Sequence, residues 1–238
     1  MDSLRTASAA PSGGWKRAVV RTVTKPSPRF VVLRLDVEDR VPHLPGQHYV
    51  VRLRADDGYT ASRSYSVASA PADEEVELCV ERLPDGEVSS FLADVVEVGD
   101  ELEVRGPIGG WFVWDGTAPA LAIGGGTGVV PLVSMLRHAT ALGSRDRVCL
   151  VAAARSLAEL PYSDEIRDGC NALALSRETS PSGRPPGRLS SADLQPHVQE
   201  GQELYVCGSA GFAESASRLL LGLGVAAADI RVERFGPT

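Results

Sequence analysis

The sequence predicts an antiparallel β-barrel followed by an α/β domain on a parallel sheet, and three observations carry that prediction. Residues 15 to 113 hold short β-branched runs broken by turn residues, a spacing that suits a small barrel. From 114 to 238, strand-like apolar runs alternate with helix-like patterns, which argues for parallel pairing. Between the two lies Leu121-Ala-Ile-Gly-Gly-Gly-Thr-Gly-Val-Val-Pro131, a buried-strand pattern that breaks on glycine and restarts as a helix. Residues 1 to 14 lack the apolar stretch of a signal peptide and read as a loose tail.

In the first half the expected strands are Arg17–Thr24, Phe30–Val37, His48–Arg54, Ser62–Ala68, Val76–Leu83 and Glu101–Arg105. Lys25-Pro-Ser-Pro28 reads as the first turn, and one helix is expected over Val88–Val95 behind Asp85-Gly86. Strand alternation puts Arg63 and Tyr65 on one face and Ser64 and Ser66 on the other. An arginine fork suits a phosphate, and a tyrosine ring can lie on a flat aromatic ligand. The same residues could equally form the polar outer face of a barrel strand. At Gly86-Glu-Val-Ser-Ser-Phe91 a helix start offers free N–H groups to a second phosphate, or Ser89 or Ser90 simply caps it.

In the second half a helix runs from Pro131 through Leu142, where Gly143 can stop it. Then follow strand Val148–Ala154, helix Pro161–Asp168, strand Ala172–Ser176, a helical turn at Ser190–Leu194, strand Glu203–Cys207, helix Ala210–Leu223 and strand Ile230–Phe235. Gly125, Gly126, Thr127 and Gly128, set between a strand and a helix N-terminus, form a natural anion site. The spacing is not G-x-G-x-x-G, since Val129 stands where a match from Gly124 needs glycine. The next strand ends in Arg155-Ser156 rather than an acidic residue. The loop therefore argues for a nucleotide and against a doubly wound dehydrogenase with NAD as sole cofactor. Three strand ends, Arg155-Ser156, Ser176-Arg177 and Cys207-Gly-Ser209, gather on one edge. Arg177, with Arg184 and Arg188 beyond it, suits a 2′-phosphate, although loop arginines often only face solvent.

Composition excludes several classes. A net charge of −7 over 238 residues gives no reason to expect nucleic acid or an anionic membrane. No apolar run approaches the ~20 residues of a membrane span, and a cytoplasmic setting is the default. Cys79, Cys149, Cys170 and Cys207 are scattered, as are His43, His48, His138 and His197, so no metal site is expected. The histidines read as structural or surface residues.

Taken together, Pro45-Gly-Gln47, Arg63-Ser-Tyr-Ser66, Gly86-Glu-Val-Ser89, Gly106-Pro107, Gly124-Gly-Gly-Thr-Gly128, Cys207-Gly208 and Val232-Glu-Arg-Phe235 resemble the ferredoxin–NADP reductase superfamily, in its stand-alone form. The resemblance covers about residues 15 to 238. It implies an FAD-binding barrel and an NAD(P)-binding α/β domain, with FMN the less favoured flavin and NADPH favoured over NADH. By the family's motifs Arg63 contacts a flavin phosphate, Tyr65 lies on the isoalloxazine ring and Ser66 bonds near flavin N5. Ser64, Val67, Ala68 and Ser69 line the flavin, and Gly86, Val88 and Ser89 hold its pyrophosphate. Phe235 takes the place of the C-terminal aromatic, without a tyrosine hydroxyl and with three residues after it. Gly125 to Gly128, Arg155, Ser176, Arg177, Arg188, Cys207 and Gly208 are the nicotinamide-nucleotide candidates. Ser66, Cys207 and Glu233 fall at the hydride-transfer centre, though Cys207 also reads as a buried strand-end thiol.

The implied activity passes hydride from NADPH or NADH to FAD, then electrons to a separate acceptor, with placement supplied by the protein. Arg5, Lys16, Arg17, Arg21, Lys25, Arg29 and Arg34 make the first strands basic, which suits an acidic ferredoxin or flavodoxin as acceptor. Two other readings stay open: a free-flavin reductase that treats flavin as substrate, and a nucleotide-sensing subunit without turnover.

Overall fold

The computed structural model describes residues 14–236. Arg5 and the expected tail up to residue 13 lie outside the described residues. The first sheet contains β1 (Lys16–Ser27), β2 (Phe30–Val37), β3 (His48–Arg54), β4 (Thr60–Ser66), β5 (Val76–Glu81) and β6 (Glu101–Ile108). Its order is β4-β3-β6-β1-β2-β5, with every pairing antiparallel. The edge strands β4 and β5 approach through a single bridge, Val67 to Leu78, so the sheet curls like a barrel without closing.

Alternation explains the inner face. In β2, Val31, Leu33, Leu35 and Val37 are buried while Arg34 and Asp36 point outward. Helix α1 (Glu87–Asp94) plugs the barrel with Val88 and Leu92. Lys25, Pro26 and Ser27, expected as turn, belong to β1. The hairpin instead closes at Ser27 against Phe30, and a register shift after Thr24 admits Pro26, which has no N–H for the ladder.

The second domain holds β7 (Ala120–Gly125), α2 (Val130–Ala141), β8 (Val148–Ala154), α3 (Ser163–Gly169), β9 (Ala172–Leu175), α4 (Ser191–Leu194), β10 (Glu203–Ser209), α5 (Ala210–Gly222) and β11 (Ile230–Phe235). The parallel order is β11-β10-β7-β8-β9. Both faces are covered, which is why the strands read as continuous apolar runs. Leu132, Val133, Leu150 and Tyr205 fill one side, and Ile123, Val151, Val206 and Leu220 fill the other. Phe112 and Trp114, on the connection between the sheets, pack into the first of these cores. The chain leaves β7 toward β8 on one side and later returns to pair β10 on the other. The carboxyl end of β7 is thus the crevice where such sheets bind ligands.

Candidate functional site

The glycine loop occupies that crevice, and its glycines serve different purposes. A Cβ on Gly128 would lie 2.2 Å from the Cys207 carbonyl oxygen, and one on Gly125 would lie 2.5 Å from the Phe212 ring. Those two positions are fixed by packing against β10 and α5. Gly126 alone among Gly124, Gly125, Gly126 and Gly128 has φ of +56° and open space beside it. The loop itself forms a 3-10 turn, Gly126–Val129, that feeds into α2 with Pro131 in the first turn. Thr127 is half-buried there.

Cys207 is flanked in register by Gly124 on β7 and Glu233 on β11. Burial drives its thiol well above the ordinary range, with the Glu233 charge adding to the shift, so it stays a neutral packing group. Burial likewise pushes the Glu233 carboxyl up to about 7, and its Oε2 is buried with no partner among the described residues. Gly208 follows Cys207 under the Phe212 ring. Phe235 ends β11 opposite Ser209 and rests against the second domain's core.

On the barrel side Arg63 and Ser64 are exposed and Tyr65 is half-buried. Among the described residues Arg63 makes no ion pair; its Nη1 donates only to the Ser62 carbonyl, at 2.7 Å. The Tyr65 hydroxyl is buried without a partner, and burial raises its pKa. Ser66 is buried and pairs with His48, so the two share a face at the sheet edge. The strand ends there. Val67, Ala68 and Ser69 leave the β3 ladder and turn toward β5, with the Ala68 amide donating to Glu77 O at 2.8 Å. At α1, Gly86 is the N-cap without a side-chain cap bond, and Val88 is buried. Ser89 and Ser90 do not cap the helix; Ser89 Oγ accepts from the Leu83 amide and Ser90 Oγ donates to the Leu83 carbonyl. A Cβ on Gly86 would strike Ser89 Oγ at 2.2 Å.

The two halves meet directly. Ala68 and Val130, the first residue of α2, share a small core with Phe30 and Cys79. A contact path runs from Ala68 on the flavin side through Val130 and Gly128 to Cys207 and Glu233 on the nucleotide side. The fit to a flavin rests on the orphaned buried hydroxyl of Tyr65 and on Arg63, an arginine without a carboxylate; the fit to a nicotinamide nucleotide rests on the orphaned Glu233 oxygen and the open backbone at Gly126. A separate cavity of about 450 Å³ lies along the other side of the seam, lined by Phe30, Cys79, Arg137 and Tyr162 among others, and includes none of the loop glycines.

Several expectations are redrawn by the geometry. Arg184 is unavailable to a phosphate because Asp193 holds it in a two-pronged ion pair at 2.6 and 2.8 Å. Arg188 is exposed. Arg155 and Arg177 stand side by side, the Arg177 amide donating to Arg155 O, and both face Glu159 at 3.6 and 3.7 Å. Ser176 is half-buried beside them. The basic run of the first strands is largely neutralised: Arg17 pairs with Glu101, Arg21 with Asp36, Arg29 with Glu81 and Arg34 with Glu77. His48, expected as structural or surface, is half-buried beside Ser66, a place set by strand register; sequence reasoning missed Ser134, Arg137 and Glu77 at the seam. His43, expected as structural or surface, is buried; its Nε2–H donates to Ser69 O at 3.0 Å, and burial lowers its pKa to about 4.

A two-domain nucleotide-binding oxidoreductase is the class that this fold and junction define. Residues 18–113 match the family "Oxidoreductase FAD-binding domain", and residues 122–218 match "Oxidoreductase NAD-binding domain". The chain belongs to the ferredoxin-reductase-like family of FAD/NAD modules. It is similar to the flavohemoprotein of Bacillus anthracis, at 30% identity over 94% of this chain and 62% of that protein. It also resembles the ferredoxin–NAD(P)+ reductase component of naphthalene 1,2-dioxygenase/salicylate 5-hydroxylase systems of Ralstonia sp., at 30% identity over 87% of this chain and 64% of that one. The chain therefore spans about three fifths of the length of these relatives. Among solved structures, the FAD/NAD-binding domain of nitric oxide dioxygenase from Vibrio cholerae O1 biovar El Tor superposes with a TM-score of 0.80. The two are 26% identical, over 93% of this chain and 99% of that domain. Among the described residues no helix is long and apolar enough to cross a membrane.

Proposed function

We propose that this protein is a flavin-dependent NAD(P)H oxidoreductase that delivers electrons to a separate acceptor. FAD, when bound, supplies a two-electron acceptor that can release electrons singly. The chain's own residues place and shield that chemistry. Arg63 and the α1 N-terminus at Gly86, Val88 and Ser89 bind the flavin phosphates. Tyr65 backs the ring, and Ser64 and Val67 to Ser69 line it. Ser66 donates a hydrogen bond near N5, and Phe235 borders the site. Gly125 to Gly128 receive the nucleotide pyrophosphate, with Cys207 and Gly208 packing beside the nicotinamide and Glu233 keeping a proton near neutral pH. Arg155, Ser176, Arg177 and Arg188 face the adenosine end, which favours NADPH over NADH.

The observation that carries the reading is the junction itself: Ala68, Val130, Gly128, Cys207 and Glu233 form one continuous contact path from the first sheet to the second. The names of the relatives favour a haem protein, an oxygenase or a ferredoxin as acceptor. An acidic ferredoxin or flavodoxin remains the partner to try first. With four of the first-strand arginines already paired, its docking is expected to depend only weakly on ionic strength.

An anaerobic visible spectrum of the purified protein, before and after NADPH and then NADH, tests the proposal. A bound flavin bleached faster by NADPH supports both the reductase and the role of Arg177. A colourless protein that oxidises NADPH only when flavin is added favours the free-flavin reductase. A bound flavin that neither nucleotide bleaches leaves the nucleotide-sensing subunit.

A further inference from the structure

Helix α2 touches both halves of the junction along one face. Val130, at its start beside the glycine loop, packs with Ala68. Ser134 lies one turn on, fully buried, and its Oγ donates to Ser69 O at 2.7 Å. Arg137 lies a further turn on, and its Nη1 donates to Ala68 O at 3.1 Å and to Glu77 Oε1 at 2.7 Å. Positions 130, 134 and 137 are the i, i+4, i+7 stripe of a single helix face. The remaining Arg137 nitrogens bind Glu165 on α3, which fixes the guanidinium from its own domain. The two carbonyls it and Ser134 hold lie just where the chain leaves the β3–β4 ladder after Ser66. From the barrel side His43 donates to the same Ser69 oxygen.

We propose that α2 is a strut: a nucleotide diphosphate seated in the glycine loop tightens the Val67–Ser69 backbone through Ser134 and Arg137. The inference rests on the glycine loop as the phosphate site. A packed helix moves as a unit, so a small displacement at its first turn is shared with the groups bonded to its second and third. Ser134 and Arg137 are positioning residues in this scheme. They touch no cofactor; they hold the carbonyls next to the serine that does.

The test uses ADP-ribose, which carries the diphosphate and lacks the nicotinamide, on the flavin-loaded protein. Calorimetry measures its binding, and hydrogen–deuterium exchange reads the amides of residues 67–70. The wild type is expected to slow exchange there by at least about threefold on saturation, the scale on which local opening is suppressed by binding. Ser134→Ala leaves Ser69 O with its His43 partner and spares the Arg137–Glu77 pair, so the fold is retained. That variant is expected to bind ADP-ribose with unchanged affinity but to lose most of the slowing, with only the Arg137 hold on Ala68 O left to transmit it. The ADP-ribose-induced change in the flavin's visible spectrum should shrink with it. Full slowing in Ser134→Ala, or none in the wild type with ADP-ribose bound, overturns the strut. Absence of calorimetric binding overturns the phosphate-loop reading instead, and the strut falls with it.

Discussion

Two ion clusters join the domains, each gathered around one carboxylate, and they differ mainly in burial. At the inner seam Glu77, with a side chain 5% exposed, receives Arg137 at 2.7 Å, Arg34 at 2.9 Å and the Tyr162 hydroxyl at 2.9 Å. Burial pushes that carboxyl up, but Arg137, Tyr162 and Arg34 outweigh it and hold it below the ordinary carboxylate range. At the outer edge Glu159 receives Arg29 at 2.9 Å, with Arg155 and Arg177 at 3.6 and 3.7 Å. Those last two arginines are 61% and 64% exposed. A buried carboxylate has to be saturated to exist at all, so the inner cluster acts as a lock. The outer one is more open to water, with Glu159 half-buried and Arg155 and Arg177 exposed, so its pairs contribute less and those two arginines keep donors free for another anion.

The largest expected effect tests the lock. Arg137→Ala leaves Glu77 buried without one of its three partners, the nearer of its two charged ones, and should cost roughly 3–5 kcal/mol in chemical denaturation. Arg177→Ala, at the exposed cluster, should stay within about 0.5 kcal/mol of wild type. If both variants lose the same stability, burial is not what separates the clusters.

Next in size is a pH effect at the end of the path the lock supports. Burial holds the Glu233 carboxyl at about 7 instead of near 4.5. Between those values the folded protein keeps a proton that the unfolded chain has released. Stability of the ligand-free protein should therefore fall as pH rises from 4.5 to 7 and level off above. At roughly 1.4 kcal/mol per pH unit the full difference is at most about 3.5 kcal/mol. Glu233→Gln should flatten that slope and be the more stable protein at pH 8. A slope that survives the substitution assigns the proton elsewhere.

The contrast between clusters also marks what the sequence could reveal. Both sheets were legible because alternation in β2 and continuous runs in β7 and β8 are direct consequences of one-sided and two-sided burial. The strand-end arginines Arg155 and Arg177 were legible too, since parallel order alone brings strand ends to one edge. Glu77 was not: on β5 it sits among Val76, Leu78, Cys79 and Val80, and nothing local says which helix will face it. His48 was hidden for the same reason, its partner Ser66 being set by register rather than by spacing. Arg184 misled because Asp193 lies nine residues on, in a loop whose path a sequence does not give.

At the exposed cluster the effects move from stability to affinity. Arg177→Ala should raise the KM for NADPH by roughly tenfold, the loss of one charge-assisted hydrogen bond, and leave that for NADH nearly unchanged. An equal rise for both nucleotides would place Arg177 away from the 2′-phosphate.

The smallest change is the sharpest test of the comparison. Glu159 lies within 4 Å of three arginines, and under the proposed NADPH reading a 2′-phosphate would compete with it for Arg155 and Arg177. Glu159→Gln removes that competitor while leaving a side chain of nearly the same shape, so stability should shift by less than about 0.5 kcal/mol. Affinity for 2′,5′-ADP should rise by about three- to tenfold in low salt, and the gain should shrink as ionic strength screens the exposed charges. Affinity for 5′-AMP, which lacks the 2′-phosphate, should barely move. The parallel substitution Glu77→Gln should do the reverse, weakening the fold without altering the discrimination between the two nucleotides. A Glu159→Gln protein that gains equally for both would mean the outer cluster is only a looser copy of the lock.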